Sequence, residues 1–159
     1  MTETKPDTAG VIAPPPLLYA GTLAIGIMLE YLWVRTQGFD MPTSLRWTVV
    51  PLFALAGAGL IAAAALRFRQ AGTPAPPWRP TTAFVAQGIY RATRNPMYLG
   101  MTLIYLSLTV AFDAPVALWL LVPLTILVHY GVIVREERYM AGRFGVAYLN
   151  YVNRVPRWL

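Results

Sequence analysis

The sequence predicts an all-α fold, an integral membrane bundle of four transmembrane helices followed by a C-terminal amphipathic cytoplasmic helix. Three observations predict it. Hydrophobic residues make up 57% of the chain and Asp, Glu, Lys and Arg only 13%, where soluble domains carry about a quarter charged residues. Four apolar runs approach the roughly 20 helical residues that cross a bilayer core. The basic residues sort to one side of those runs. Together these exclude an ordinary soluble enzyme, a disordered tail and a coiled coil. With no cysteine in 159 residues, disulfides, thiolate metal sites and a Cys nucleophile are also excluded. The whole chain, 1–159, reads as a single membrane domain.

The first span covers 17–34, eighteen residues with Glu30 as the one charge. It is longer than a signal-peptide core and ends in Val34-Arg35 rather than at a small-residue cleavage site, so retention is expected. Glu30, near the outer end, reads as a snorkelling or helix-pairing residue. The second span, 48–66, and the third, 97–112, carry no charge; the third is short, with Asn95 and Pro96 beginning its first turn. The fourth, 114–134, holds His129 as its only ionisable group. Helices are required because hydrocarbon offers backbone groups no partner.

Charge sets the orientation. Arg67, Arg69, Arg79, Arg91 and Arg94 lie between spans two and three. Arg135, Arg138, Arg143, Arg154 and Arg157 follow span four, and Lys5 precedes span one. Only Arg35 and Arg46 fall on the other side, so eleven of thirteen positive charges share one face. The positive-inside rule makes that face cytoplasmic, with both termini there. The net charge of +6 reads as orientation charge and attraction to anionic lipid, not to nucleic acid.

Small residues should make the helix contacts: Ala20, Gly21 and Ala24 on span one, and Ala54, Ala58, Gly59, Ala62 and Ala63 on span two. Trp33, Trp47 and Tyr90 near span ends suit interfacial anchoring. Thr73–Pro80 has four prolines in eight residues. It cannot be helical and reads as a stiff connector, or alternatively as a lid over a site. No metal spacing, GxSxG or GxGxxG occurs.

Two segments carry more than charge. The first is Gly88 to Gly100. Pro96 suits the first helical position, and Asn95 before it can cap free N–H groups. Span three thus starts with its positive dipole end at the membrane boundary, beside Arg94, Tyr90 and Tyr98, an arrangement that suits a carboxylate or another anion. The second is Arg135-Glu136-Glu137-Arg138. Helical spacing puts Glu136 on one face with Ile133, Val132 and His129. An inward carboxylate there would attract a cationic or polyhydroxyl ligand; solvated pairing with Arg135 or Arg138 is the other reading. After it, Met140, Phe144, Tyr148, Tyr151 and Val155 form an apolar stripe. That stripe predicts an amphipathic helix over about 139–152, closing the bundle from below or lying on the membrane. Gly142 and Gly145 weaken that helix but permit close approach of a ligand or backbone.

These blocks, Gly88–Gly100, Glu136-Glu137 and Phe144-Gly145 through Tyr148, Tyr151, Arg154, Val155 and Pro156, resemble the isoprenylcysteine carboxyl methyltransferase family; the related membrane phospholipid methyltransferases are similar. The resemblance covers about residues 82–157. It implies an integral-membrane methyltransferase that uses S-adenosylmethionine in a cytoplasm-facing pocket, with a lipophilic acceptor arriving through the bilayer. Carried over by position, the site segments are 82–100 and 129–157. Cofactor contacts would come from Thr82, Ala83, Phe84 and Val85, then Tyr90 and Arg94, then Asn95, Pro96, Met97 and Tyr98, and finally Glu136 and Glu137. Two positions depart from the pattern. The family's Arg-His-Pro is Arg94-Asn95-Pro96 here. An arginine that the prenylcysteine enzymes use for the acceptor is Val132 here, which argues against a prenylcysteine carboxylate.

Physical chemistry is compatible with this implication. The helix start with Arg94 can serve the cofactor's carboxylate, Glu136 its ammonium or hydroxyls, and Tyr90 or Tyr98 its sulfonium by cation–π attraction. A protonated amine or hydroxyl acceptor needs a base, and a carboxylate or thiolate does not. An ionisable group inside a span is a functional candidate by default, which makes His129 the catalytic candidate, touching the acceptor. Two other readings compete: a membrane reductase of the sterol-reductase-like type using NADPH, and a non-enzymatic membrane adaptor. The partners expected are the lipid bilayer and the lipophilic methyl acceptor, with no nucleic acid.

Overall fold

The computed structural model describes residues 8–34 and 36–158; Lys5 and Arg35, counted above for orientation, lie outside them. The described residues form helices and turns. α1 (Pro15–Leu29) continues through a wide π turn, Glu30–Val34. α2 is Thr43–Gln70, and α3 is Pro96–Ala111, with Pro96 in its first turn as expected. α4 (Pro115–Val128), a π turn at His129–Ile133 and α5 (Val134–Phe144) form one unbroken rod. α6 is Val146–Val152.

Lengths follow from 1.5 Å per residue. The 28 residues of α2 and the 30 of Pro115–Phe144 make rods of roughly 40–45 Å, longer than a hydrocarbon core of about 30 Å. Their polar ends project beyond it. α3, with 16 residues, spans only about 24 Å. The molecule is an integral membrane helix bundle, with Leu55, Trp119 and Val122 standing outward from it.

α1 packs on α4 and α3, and α2 packs on α3. The residues at these contacts differ from the expected small-residue faces. Ala20, Gly21 and Ala24 on α1 are exposed, as are Ala58, Gly59, Ala62 and Ala63 on α2. Close approach occurs instead at Gly26, where a Cβ would strike Ala117, and at Gly57 and Gly100, where each would strike the other's carbonyl oxygen. The reason is that these helices are apolar all round. Nothing in their pattern marks which side meets protein and which meets lipid.

Interhelical hydrogen bonds lock the core. Tyr105 Oη donates to the Ala117 carbonyl at 2.7 Å and Ser107 Oγ to the Val50 carbonyl at 2.7 Å. Tyr19 Oη meets Thr102 Oγ1 at 3.0 Å. In lipid such bonds satisfy groups that have no solvent to turn to.

One further expectation changes. The amphipathic helix is not one piece: Gly145, at φ +53°, breaks it. Its first half is the foot of the fourth rod and its second half is α6. Only a residue without Cβ takes that backbone conformation cheaply. No neighbour crowds Gly145, so its use is conformational rather than close approach. The chain's described ends also meet the same end of the bundle. Arg135 Nη1 donates to the Gly10 carbonyl at 2.9 Å, and Arg94 N–H donates to the Pro156 carbonyl at 3.0 Å.

Candidate functional site

At that basic end the start of α3, the foot of the fourth rod, α6 and the Pro-rich segment enclose a cavity of about 260 Å³. Its polar wall begins with Asn95, which stands one residue before α3 but does not cap it. Its side-chain Nδ2 donates instead to the Arg157 carbonyl at 2.9 Å, which Thr93 Oγ1 also reaches at 3.2 Å. The C-terminal strap, Val155 to Trp158, is thereby pinned under α3.

The two adjacent glutamates are used differently. Glu137 is saturated: Arg94 Nη1 reaches Oε1 at 2.8 Å, and Arg157 clasps both oxygens, Nε to Oε1 at 3.0 Å and Nη2 to Oε2 at 2.6 Å. Glu136 accepts from Tyr98 Oη at 2.7 Å. Among the described residues no cation pairs with it. Arg94 is the converse case: its charge is matched by Glu137, yet its Nε is buried without a hydrogen-bond partner. An orphan donor and an unpaired carboxylate thus line one cavity. Arg46 Nε, at the other end of the bundle, is likewise without a partner, but only Arg94 shares a cavity with a carboxylate that no described cation pairs; a buried donor left over at such a place calls for a ligand or water.

The remaining wall is aromatic. The Phe84 ring packs against Phe144, Tyr148 and Tyr151, with centroids 5.4–5.9 Å apart. Tyr90 packs edge-on against Phe68 at 5.6 Å, and its carbonyl accepts from Tyr151 Oη at 2.7 Å. Burial pushes the Tyr148 phenol up to about 12; Glu137 nearby adds to this and Arg94 opposes it. Burial also raises Tyr90 and Tyr151. These phenols stay neutral at ordinary pH and act as donors and ring faces, not as anions.

Phe84, Val85, Tyr90, Arg94, Asn95 and Pro96 line the cavity, as do Met97, Tyr98, Glu136 and Glu137. Thr82 and Ala83 do not: their N–H groups turn to Thr73 Oγ1, at 2.8 and 3.3 Å. His129 also stands outside the lining, with Nε2 3.5 Å from Arg157 Nη1. The π turn is the reason it does not share the Glu136 face. An i→i+5 turn adds about one residue to the α-helical register, roughly 100° of rotation.

Of the two readings of the Pro-rich segment, the structure favours the second: Pro76, Pro77 and Trp78 form a wall of the cavity, so the segment covers it rather than merely connecting α2 to α3. A Trp among four prolines was the available signal. The N-terminal arm contributes Ala9, Pro15 and Pro16. It is held by Ile12 N–H to the Gly131 carbonyl at 3.2 Å, and the Ile12 side chain fills the space a Cβ on Gly131 would need. No local pattern announces such a contact, 119 residues apart along the chain.

A family model described as phospholipid methyltransferase matches residues 22–147, from the middle of α1 to the start of α6. The chain belongs to the phospholipid methyltransferase family. Among curated proteins and among solved structures, none matches it. As a member of this family it is a membrane methyltransferase, and both glutamates, Arg94 and Tyr98 fall inside the matched region. Tyr148, Tyr151 and Arg157, which complete the cavity and its strap, fall outside it.

Proposed function

We propose that the cavity binds S-adenosylmethionine and that the protein transfers its methyl group to a lipophilic acceptor, a lipid or small hydrophobic molecule. The observation that carries this reading is the pairing, in one cavity, of the uncommitted Glu136 carboxylate with the orphan Arg94 Nε. The cofactor bears an ammonium, ribose hydroxyls and a carboxylate, and this donor set fits it. Glu136 would take the ammonium or hydroxyls, and Arg94 the carboxylate. Phe84, Val85 and Tyr90 would receive the apolar and cationic parts, with Asn95 to Tyr98 at the α3 start beside them. Glu137 would hold Arg94 in place, and Thr82 and Ala83 would back the wall.

When bound, the cofactor supplies an electrophilic methyl group on a sulfonium. The protein's own share is orientation and exclusion of water. In favourable cases orientation removes up to about 7–11 kcal/mol of barrier. The Pro-rich wall and the N-terminal arm close the aqueous side, while the Arg157–Glu137–Arg94 chain fixes the polar floor. His129 enters this reading through Arg157, as a positioning residue. The basic end faces the cytoplasm, because the arginines of 67–94 and 135–157 gather there.

Binding in detergent tests the reading. Purified protein should bind S-adenosylhomocysteine and not NADPH, and labelled methyl should pass into extracted membrane lipids or small hydrophobic acids, amines or thiols. NADPH binding without S-adenosylhomocysteine binding would replace the reading with a reductase. Binding of neither would leave an adaptor.

A further inference from the structure

S-Adenosylmethionine carries a carboxylate, an ammonium and a sulfonium, and such charges do not cross hydrocarbon readily. It must therefore enter, and its product leave, through the cover on the aqueous side. That cover has two pieces, the Pro-rich wall and the N-terminal arm, and both line the cavity. They meet where Ala9 N–H points at the Pro77 carbonyl, a long hydrogen bond at 3.4 Å.

The two pieces are held differently. The wall is tied down at its neck, where the buried Thr73 accepts at Oγ1 from Thr82 N–H and Ala83 N–H. Thr81 N–H reaches Tyr139 Oη at 3.1 Å. Pro74, Pro76, Pro77 and Pro80 fix φ between these ties, so the wall resists bending. The arm, residues 8–13, is held from outside. Val11 turns to the core, but Ile12, which plugs the notch over Gly131, is 45% exposed. The bond from Arg135 Nη1 to the Gly10 carbonyl also lies at the exposed surface. Gly10, at φ +60° with no neighbour within 4 Å, leaves the backbone free to turn. Pro14-Pro15-Pro16 fix the start of α1, so movement of the arm stops there. Few buried contacts and exposed hydrogen bonds mark a segment that opens at low free energy.

We propose that the N-terminal arm is the gate of the cavity: residues 8–13 lift from the Gly131 notch and the Arg135 latch to exchange cofactor and product with the aqueous side, while the Pro-rich wall stays in place. The proposal rests on the methyl-transfer reading and adds to it a route and a moving part. Both anchor points, Gly131 and Arg135, belong to the rod that carries Glu136. The arm is therefore docked on the element that holds the ligand, and lifting it uncovers the cavity beside Ala9 without disturbing the polar floor.

The cysteine-free sequence makes the test direct. A Cβ on Gly131 would lie 2.8 Å from Ile12 Cγ1 and 3.6 Å from Cγ2. The two Cβ atoms are then roughly 4 Å apart, a separation that a disulfide spans. The double variant Ile12→Cys, Gly131→Cys is loaded in detergent with labelled S-adenosylhomocysteine, oxidised, and chased with unlabelled ligand. Release should slow by at least about tenfold against the reduced protein, and dithiothreitol should restore it. Release that is equally fast with the disulfide closed would overturn the gate and leave the wall as the moving piece. Failure of the thiols to join in a protein that folds and binds would overturn the docked arm itself. Should the double variant fail to fold, Ile12→Ala carries the test, because Ile12 does not line the cavity. Capture and release should then both quicken by about threefold or more, with the affinity held within about twofold. Unchanged rates would make the arm a static cover. Absence of S-adenosylhomocysteine binding by the unmodified protein would instead sink the methyl-transfer reading, a separate outcome.

Discussion

Apart from the exposed Asp40 of the α1–α2 loop, the bundle carries a pair of carboxylates at each end, and the two pairs are treated in opposite ways. At the end away from the cavity both are closed. Glu30, 4% exposed, accepts from Thr36 N–H at 2.7 Å, Thr36 Oγ1 at 2.6 Å and Val116 N–H at 3.1 Å. It thus ties the α1–α2 loop to the start of α4. Asp113 accepts from Phe39 N–H at 2.8 Å and pairs with Arg46 at 2.7 Å. At the cavity end only Glu137 is closed by cations, while Glu136 has the Tyr98 hydroxyl and no described cation. A saturated carboxylate is explained by the fold that uses it. Both ends hold a guanidinium nitrogen without a partner, Arg46 Nε and Arg94 Nε, so what sets the cavity end apart is the carboxylate without a described cation, and that is explained by something that binds.

The sharpest way to break this comparison is Glu137→Ala. It removes the partner of Arg94 and Arg157 together, so both functions should fail. Breaking a buried pair costs 3–5 kcal/mol; with Arg157 a third exposed, roughly 3 kcal/mol is expected here. Thermal unfolding in detergent should shift down and S-adenosylhomocysteine binding should be lost. An unchanged melting profile and affinity would make Glu137 a mere surface charge. Next in size is Glu30→Ala at the opposite end, which leaves the Val116 and Thr36 donors unpartnered. About 2 kcal/mol of stability should go, with ligand affinity unmoved. A loss of affinity there would mean that the two ends are coupled, and the division into structural and functional carboxylates would fail.

How much of this was legible depends on what each feature rests on. The spans, the start of α3 at Pro96 and the convergence of the Gly88–Gly100 block with Glu136-Glu137 rest on local composition and chemistry, and these were readable. Helix facing was not, because Ala58 and Gly57 look alike in an all-apolar helix and only the neighbour distinguishes them. Nor was the facing of His129, because α-helical spacing assumes a constant register that the π turn interrupts. Glu30 was read as a snorkelling or helix-pairing residue; it is buried, and its donors come from Thr36 and from Val116, 86 residues on. Asn95 had the right place for a cap, but a partner 62 residues away claimed its side chain.

A smaller effect sharpens the comparison from the open side. Glu136→Gln keeps the shape and an acceptor for Tyr98 but removes the unmatched charge. Stability should hold, because no ion pair is broken, while S-adenosylhomocysteine affinity should fall about tenfold, or roughly 1.4 kcal/mol. Isothermal titration beside a melting curve separates the two. A variant that melts early but binds normally would place Glu136 with Glu30 among the structural carboxylates.

The smallest expected effect concerns the strap. Asn95 gives one neutral hydrogen bond, to the Arg157 carbonyl, and its loss in Asn95→Ala should cost about 1 kcal/mol. The strap would stay attached, because Thr93 Oγ1 still reaches the same carbonyl, Arg94 N–H still reaches Pro156, and the Arg157–Glu137 clasp is untouched. Faster amide exchange confined to the strap is therefore expected, with only a slight loss of affinity. Asn95→His puts a ring N–H donor at the same place and should restore protection. If Asn95→Ala matched Glu137→Ala in severity, the single amide would be holding the floor of the cavity, and the weight given to the paired charges would have to move to it.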